Sequence, residues 1–140
     1  MRKILSLVLC AVLSFGMLPT SFAVTEEKID LGDGFYMVIE RPEEGISTYA
    51  LRNASKDATV YYSDTKVGTM TVTAQFTYSS SGVSVNSKSC TASGANGWSV
   101  KDKWTSGTTN QVTGYATFSN GSTSKTAPLS ITCDKNGNIT

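Results

Sequence analysis

From residue 69 to residue 78 the chain alternates with a period of two. Met70, Val72, Ala74, Phe76 and Tyr78 fall on one side and Thr69, Thr71, Thr73, Gln75 and Thr77 on the other. A helix would scatter the five apolar side chains around its circumference, so the segment specifies a strand with one dry face and one wet face. A strand half-buried in this way is stable only within a sheet packed against another layer, and the flanking sequence supplies partners. Ser79-Ser80-Ser81-Gly82 reads as a turn and residues 83–90 as a returning strand. Residues 98–104 set Trp98, Val100 and Trp104 against Ser99, Lys101 and Lys103. Asp102 interrupts the apolar side, and an inward-pointing charge marks a strand at or near an edge. Residues 111–118 align Val112, Gly114, Ala116 and Phe118, after which Asn120-Gly121 is a hairpin signal. The last strand, residues 127–133, aligns Leu129, Ile131 and Cys133, with Pro128 confined to a strand start or an edge.

Upstream, residues 35–40 form a further strand between the turn sequences Gly32-Asp33-Gly34 and Arg41-Pro42-Glu43-Glu44-Gly45. Residues 59–65 form another, with Lys66-Val67-Gly68 as the turn into the central strand, and residues 49–56 read as a short helix. About seven short strands with a turn every 8 to 12 residues predict an all-β chain, a small antiparallel β-sandwich in preference to a barrel. The order Cys90, Trp104, Cys133 resembles an immunoglobulin-like core, in which an inter-sheet disulfide packs on tryptophan. The cysteines are closer together than in that fold, and Ile131 stands where its conserved tyrosine would be.

The N-terminus has the order of a secretory signal: Arg2 and Lys3, a mainly apolar run to Leu18, then Ser21 and Ala23 at the two positions that require small residues. Residues 1–23 are therefore read as a signal peptide, 24–34 as a polar arm and 35–140 as the sandwich domain. A lipoprotein cleaved before Cys10 is the rival reading, opposed by Leu9 where a small residue is needed. Export predicts a secreted, extracellular protein with no membrane anchor once the signal is gone. It also removes Cys10, leaving Cys90 and Cys133 as an expected disulfide. Closing that loop would contribute roughly 4 kcal/mol; the alternative is two separate buried thiols. The mature chain carries ten Lys or Arg against eleven Asp or Glu, with no basic block, so nucleic acid is not an expected partner.

Three stretches carry a resemblance: Val72-Thr73-Ala74-Gln75-Phe76-Thr77-Tyr78, Gly114-Tyr115-Ala116-Thr117-Phe118 and Ile131-Thr132-Cys133-Asp134-Lys135-Asn136-Gly137-Asn138. In these the C-terminal half is similar to a group of short, uncharacterised secreted β-rich proteins of gut-type Gram-positive bacteria. The resemblance implies a secreted β-rich fold. It implies no activity, and it transfers no functional residue.

The inventory of reactive groups is thin. The chain has no histidine, which removes the commonest general base, the usual serine and cysteine triads and most zinc sites. Paired carboxylates such as Asp30 with Asp33 or Glu43 with Glu44 leave a carboxylate-dependent glycoside hydrolase as the enzymatic alternative. No cofactor is expected. Asp134-Lys135-Asn136-Gly137-Asn138 opens like a calcium loop, but Ile139 occupies the position of the sharp-turning glycine, so a polar turn is the reading. The outward threonines suggest a surface-binding array on one strand only. Aromatic residues are the better lead: Trp98, Trp104, Tyr62 and Tyr115, with Tyr61, offer flat apolar faces with polar handles on which a sugar ring or protein partner stacks. Trp98 and Trp104 share strand parity, which places at least one of them in the core beside the disulfide. The expectation is a non-catalytic β-sandwich that binds an extracellular glycan or protein. A self-assembling structural protein that uses an edge strand is the second reading.

Overall fold

The computed structural model describes residues 26–40, 43–44 and 50–140; the expected signal peptide lies outside them. The described residues form nine strands and no helix. These are β1 (Glu27–Gly32), β2 (Phe35–Ile39), β3 (Glu43–Glu44), β4 (Leu51–Tyr62), β5 (Thr65–Ser79), β6 (Gly82–Gly94), β7 (Ser99–Gly107), β8 (Gln111–Ser119) and β9 (Ser124–Thr132). They make two antiparallel sheets. The large sheet has the order β1-β2-β4-β5-β6, with β3 paired to β4, and the small sheet the order β7-β8-β9. The chain is thus an all-β sandwich; the small sheet is a meander of neighbours in sequence, and in the large sheet β2 and β3 both pair with β4.

The alternation at residues 69–78 sets the central strand. Met70, Val72, Ala74 and Phe76 of β5 are buried, and Tyr78 packs partly buried against the same cluster. From the facing sheet, Val112, Ala116 and Phe118 of β8 and Leu129 and Ile131 of β9 complete the core, with Cys133 just beyond. The sheets approach closely at two glycines. A Cβ on Gly114 would stand 2.3 Å from Val72 Cγ2, and one on Gly68 would stand 2.3 Å from the Phe118 ring. Neither position has room for a methyl group.

Tight turns follow local chemistry. Asp33 and Gly34, both at positive φ, connect β1 to β2, as the Gly-Asp-Gly sequence indicates. The Asn120 turn connects β8 to β9, its side-chain Oδ1 accepting from the backbone N–H groups of Ser122 and Thr123. The β4–β5 turn falls at Ser63 and Asp64, also at positive φ, so Lys66-Val67-Gly68 is not a turn but part of β5. There Val67 is an extra residue that lets both it and Gly68 contribute to the interior.

Two further expectations are corrected. Residues 51–56, within the expected helix, are the first half of β4, because Arg52, Ala54 and Lys56 alternate inward against Asn53, Ser55 and Asp57. Glu27–Gly32, within the expected loose arm, is a strand paired with β2.

The expected disulfide is absent: Cys90 and Cys133 are free thiols. Cys90 packs on Gly114, whose β9 partner is Leu129. Cys133 lies four residues beyond Leu129, an offset of about 13 Å along the strand. A bridge requires Cα atoms within about 7 Å. The alternation is right for both cysteines, and the offset between the sheets keeps them apart.

Candidate functional site

The aromatic residues singled out from the sequence fall into separate groups. Trp98 and Tyr62 meet Phe35 in a cluster: Phe35 and Tyr62 have centroids 4.4 Å apart, and Trp98 lies 5.6 Å from each, edge-on to Phe35. Phe35 is fully buried, and Trp98 and Tyr62 pack half-buried against the core. This group packs β2 and β4 against the residue that leads into β7.

Trp104 and Tyr115 form the second group. The cause of the split is a bulge in β7, where Val100 pairs with Phe118 and Asp102 with Thr117, leaving Lys101 extra. One added residue reverses the facing of everything after it. Val100 therefore points inward, while Asp102, Trp104 and Ser106 point out of the small sheet. Two expectations change as a result. Asp102 is not an inward-pointing charge, although β7 is an edge strand, and Trp104 does not pack beside a disulfide in an immunoglobulin-like core.

Trp104 lies directly opposite Tyr115, and Tyr115 directly opposite Pro128. The indole and phenol rings stack at 5.0 Å between centroids and 11° between planes, the offset-parallel geometry that aromatic rings prefer. Trp104 remains 44% exposed, the one large apolar side chain so open among the described residues. The row Trp104–Tyr115–Pro128 crosses the outer face of all three strands over about 10 Å. Paired hydroxyls border it on both sides: Thr117 with Thr126 at 2.8 Å, and Thr113 with Ser130 at 2.8 Å. An apolar strip between two lines of donors and acceptors can stack a flat ring and hydrogen-bond its rim.

No family model, curated protein or solved structure matches the chain. The site therefore stands on its geometry.

A third aromatic pair is half legible in the sequence: Tyr61 is a candidate and its partner Tyr36 is not, and the two stack at 5.0 Å and 12° on the outer face of the large sheet. The β2–β4 register that joins them is not written in either strand alone. Lys28 of β1 lies 3.7 Å over the Tyr36 ring and Tyr61 of β4 stacks beside it, while the Tyr36 hydroxyl donates to Asp64. Tyr36 is thus occupied from both neighbouring strands, which Trp104 is not.

Of the remaining candidates, Asp30, Asp33 and Asp134 are engaged internally, and the side chains of Glu43 and Glu44 lie outside the described residues. Asp30 accepts from the Gly32 N–H, and Asp33 pairs with Lys125 at 2.8 Å, which holds the Asp33 carboxyl below its ordinary range. Asp134 accepts from the backbone N–H groups of Asn136 and Asn138 and from the Asn138 side chain, so both of its oxygens close their own turn. These hydrogen bonds lower its pKa, the Asn138 side chain most of all. The threonine face extends over three strands, since Thr69, Thr71 and Thr73 are flanked by Thr59, Asp57 and Ser55 and by Ser93, Thr91 and Ser89. Its groups bond to one another, Thr71 to Asp57 and Thr73 to Ser89.

Proposed function

We propose that the chain is an exported, non-catalytic β-sandwich that binds an extracellular glycan on the outer face of its small sheet. The observation that carries this reading is the exposed Trp104 ring, stacked on Tyr115 in line with Pro128 and bordered by hydroxyl pairs. Sugar rings present axial C–H groups to an aromatic face and hydroxyls around their rim, and the strip offers a counterpart to each. The strip is rigid before binding because β-sheet pairing fixes it, which keeps the ordering cost of association low.

Edge-strand assembly is less well supported, because the sheet edges carry devices against pairing. On the open side of β9, Pro128 has no N–H, Lys56 Nζ donates to the Ser130 carbonyl at 3.1 Å, and Thr132 exchanges backbone hydrogen bonds with Thr140. β7 has the Lys101 bulge and three successive charges, β1 has Glu27, Lys28 and Asp30, and β6 has a bulge at Asn86 and Lys88 pointing inward.

Co-sedimentation of residues 24–140 with peptidoglycan and insoluble polysaccharides, with tryptophan fluorescence followed against soluble fragments, tests the glycan reading. The expected result is saturable binding that shifts the emission, that Trp104→Ala or Tyr115→Ala weakens by about tenfold or more, and that Tyr61→Ala leaves intact. Absence of binding to every glycan, or equal binding by Trp104→Ala, would sink it.

A further inference from the structure

Charge is segregated along the chain and hence across the sandwich, from the β1, β2 and β4 side to β6 and β7. Residues 24–64 carry nine of the eleven acidic residues, whereas residues 65–140 carry six lysines against two aspartates. Three of those lysines, Lys88, Lys101 and Lys103, lie on β6 and β7, the strands that border the open side of the sandwich next to Trp104. The single acid on these two strands is Asp102, and its carboxylate accepts from the Lys103 N–H at 2.8 Å. None of the three lysines is ion-paired among the described residues.

Lys88 and Lys103 lie along the seam between β6 and β7. Lys88 points inward from β6, and its ammonium reaches to within 3.3 Å of where a Cβ on Gly107 would stand. It lines an open groove of about 500 Å³ with Ser84, Asn86, Thr108 and Thr109. Lys103, opposite Ala116, lies near enough to Cys90 to oppose the desolvation that raises that thiol's pKa. Trp104 is three residues from Gly107, about 10 Å along the same edge strand. Trp104 opens on the outer side of this edge strand and Lys103 and Lys88 lie on its inner side, so the ring and the lysines flank the β7 edge, while the acidic residues lie mostly on β1, β2 and β4 and the turns between them.

We propose, on the basis of the glycan reading above, that the ligand is an acidic polysaccharide: sugar rings stack on Trp104 while carboxylates along the chain meet Lys88 and Lys103 across the β7 edge. A short neutral sugar would use the aromatic strip alone. A polymer long enough to pass over the edge would use both, and repeated anionic groups gain from a field that a single exposed ion pair does not supply.

Titration with polygalacturonate and with its methyl-esterified form separates the two contributions, because esterification removes the charge and keeps the sugar backbone. The expected result is binding of the acidic form about five- to tenfold tighter in low salt, an advantage lost at high ionic strength and in the Lys88→Gln/Lys103→Gln variant. Trp104→Ala should weaken both forms. Equal affinity for the two forms, or an unchanged preference in the double lysine variant, would overturn the acidic assignment and leave the glycan reading standing. Binding of inorganic polyphosphate as tight as that of polygalacturonate would also overturn it, as charge without sugar. Failure of both forms, together with failure of every neutral glycan, would remove the parent reading instead.

Discussion

Residues that look alike in the sequence have opposite roles here, and the difference is set by what each side chain touches. Trp98 and Trp104 are six positions apart on an apparently regular alternation, yet one joins the sheets and the other faces solvent. Gly114 reads as a weak point in a strand and is instead a place where the sheets come too close for a side chain. A Cβ there would lie 2.3 Å from Val72 and 3.1 Å from the Cys90 sulfur. Gly114→Ala is expected to destabilise the fold by about 1–3 kcal/mol through overpacking, read as a lower urea midpoint at unchanged slope. The thiols give a second residue-level prediction. Desolvation raises both above the ordinary 9.0, opposed at Cys90 mainly by the Lys103 charge and reinforced at Cys133 by Asp134. Their contribution to stability is complete below about pH 9, where both states keep the protons, and is lost as pH rises through the folded values. Denaturation midpoints should therefore fall above pH 9 more steeply in the natural chain than in Cys90→Ala/Cys133→Ala. A thiol assay under denaturing conditions should find two reactive sulfurs in residues 24–140; finding none would restore the disulfide.

At the scale of elements, β7 and β9 decide what the small sheet presents. The Lys101 bulge moves Trp104 from the inner face to the outer one, so the candidate site depends on a single extra residue in an edge strand. On the other edge, Pro128 contributes both to the aromatic row and to the protection of β9. Thr132 pairs with Thr140 on the side away from β8, and residue 128 shares that direction, so its missing N–H faces the open edge. Pro128→Thr would restore a donor there. It should raise concentration-dependent association, measured by sedimentation velocity, whereas the natural chain should sediment as a monomer across the same range. Unchanged sedimentation of the variant would show that Lys56 and Thr140 protect this edge without proline.

For the molecule as a whole, the two sheets divide the work. The large sheet holds most of the acidic residues and an outer face whose hydroxyls bond to one another. The small sheet holds the open aromatic strip and borders the lysine seam. Lys56, inward-facing on β4, ties the sheets together through the Ser130 carbonyl, and Arg52 beside it ties the large sheet to the C-terminal turn through the Gly137 carbonyl. A sandwich fastened by buried side chains and such hydrogen bonds does not need a disulfide across its core.

Local patterning was enough to define the strands from residue 69 onward, the turns at Gly32-Asp33-Gly34 and Asn120-Gly121, and the core face of β5, β8 and β9. Alternation and turn chemistry are properties of a few consecutive residues. The pairing of Trp104 with Tyr115 and Pro128, the separation of Cys90 from Cys133 and the strand at residues 51–56 were decided by tertiary structure. Each depends on register: which residue stands opposite which, where a bulge adds one, and how far one sheet is offset from the other. Those quantities are set when distant strands meet, because only then does burying one face favour one alignment over its neighbours.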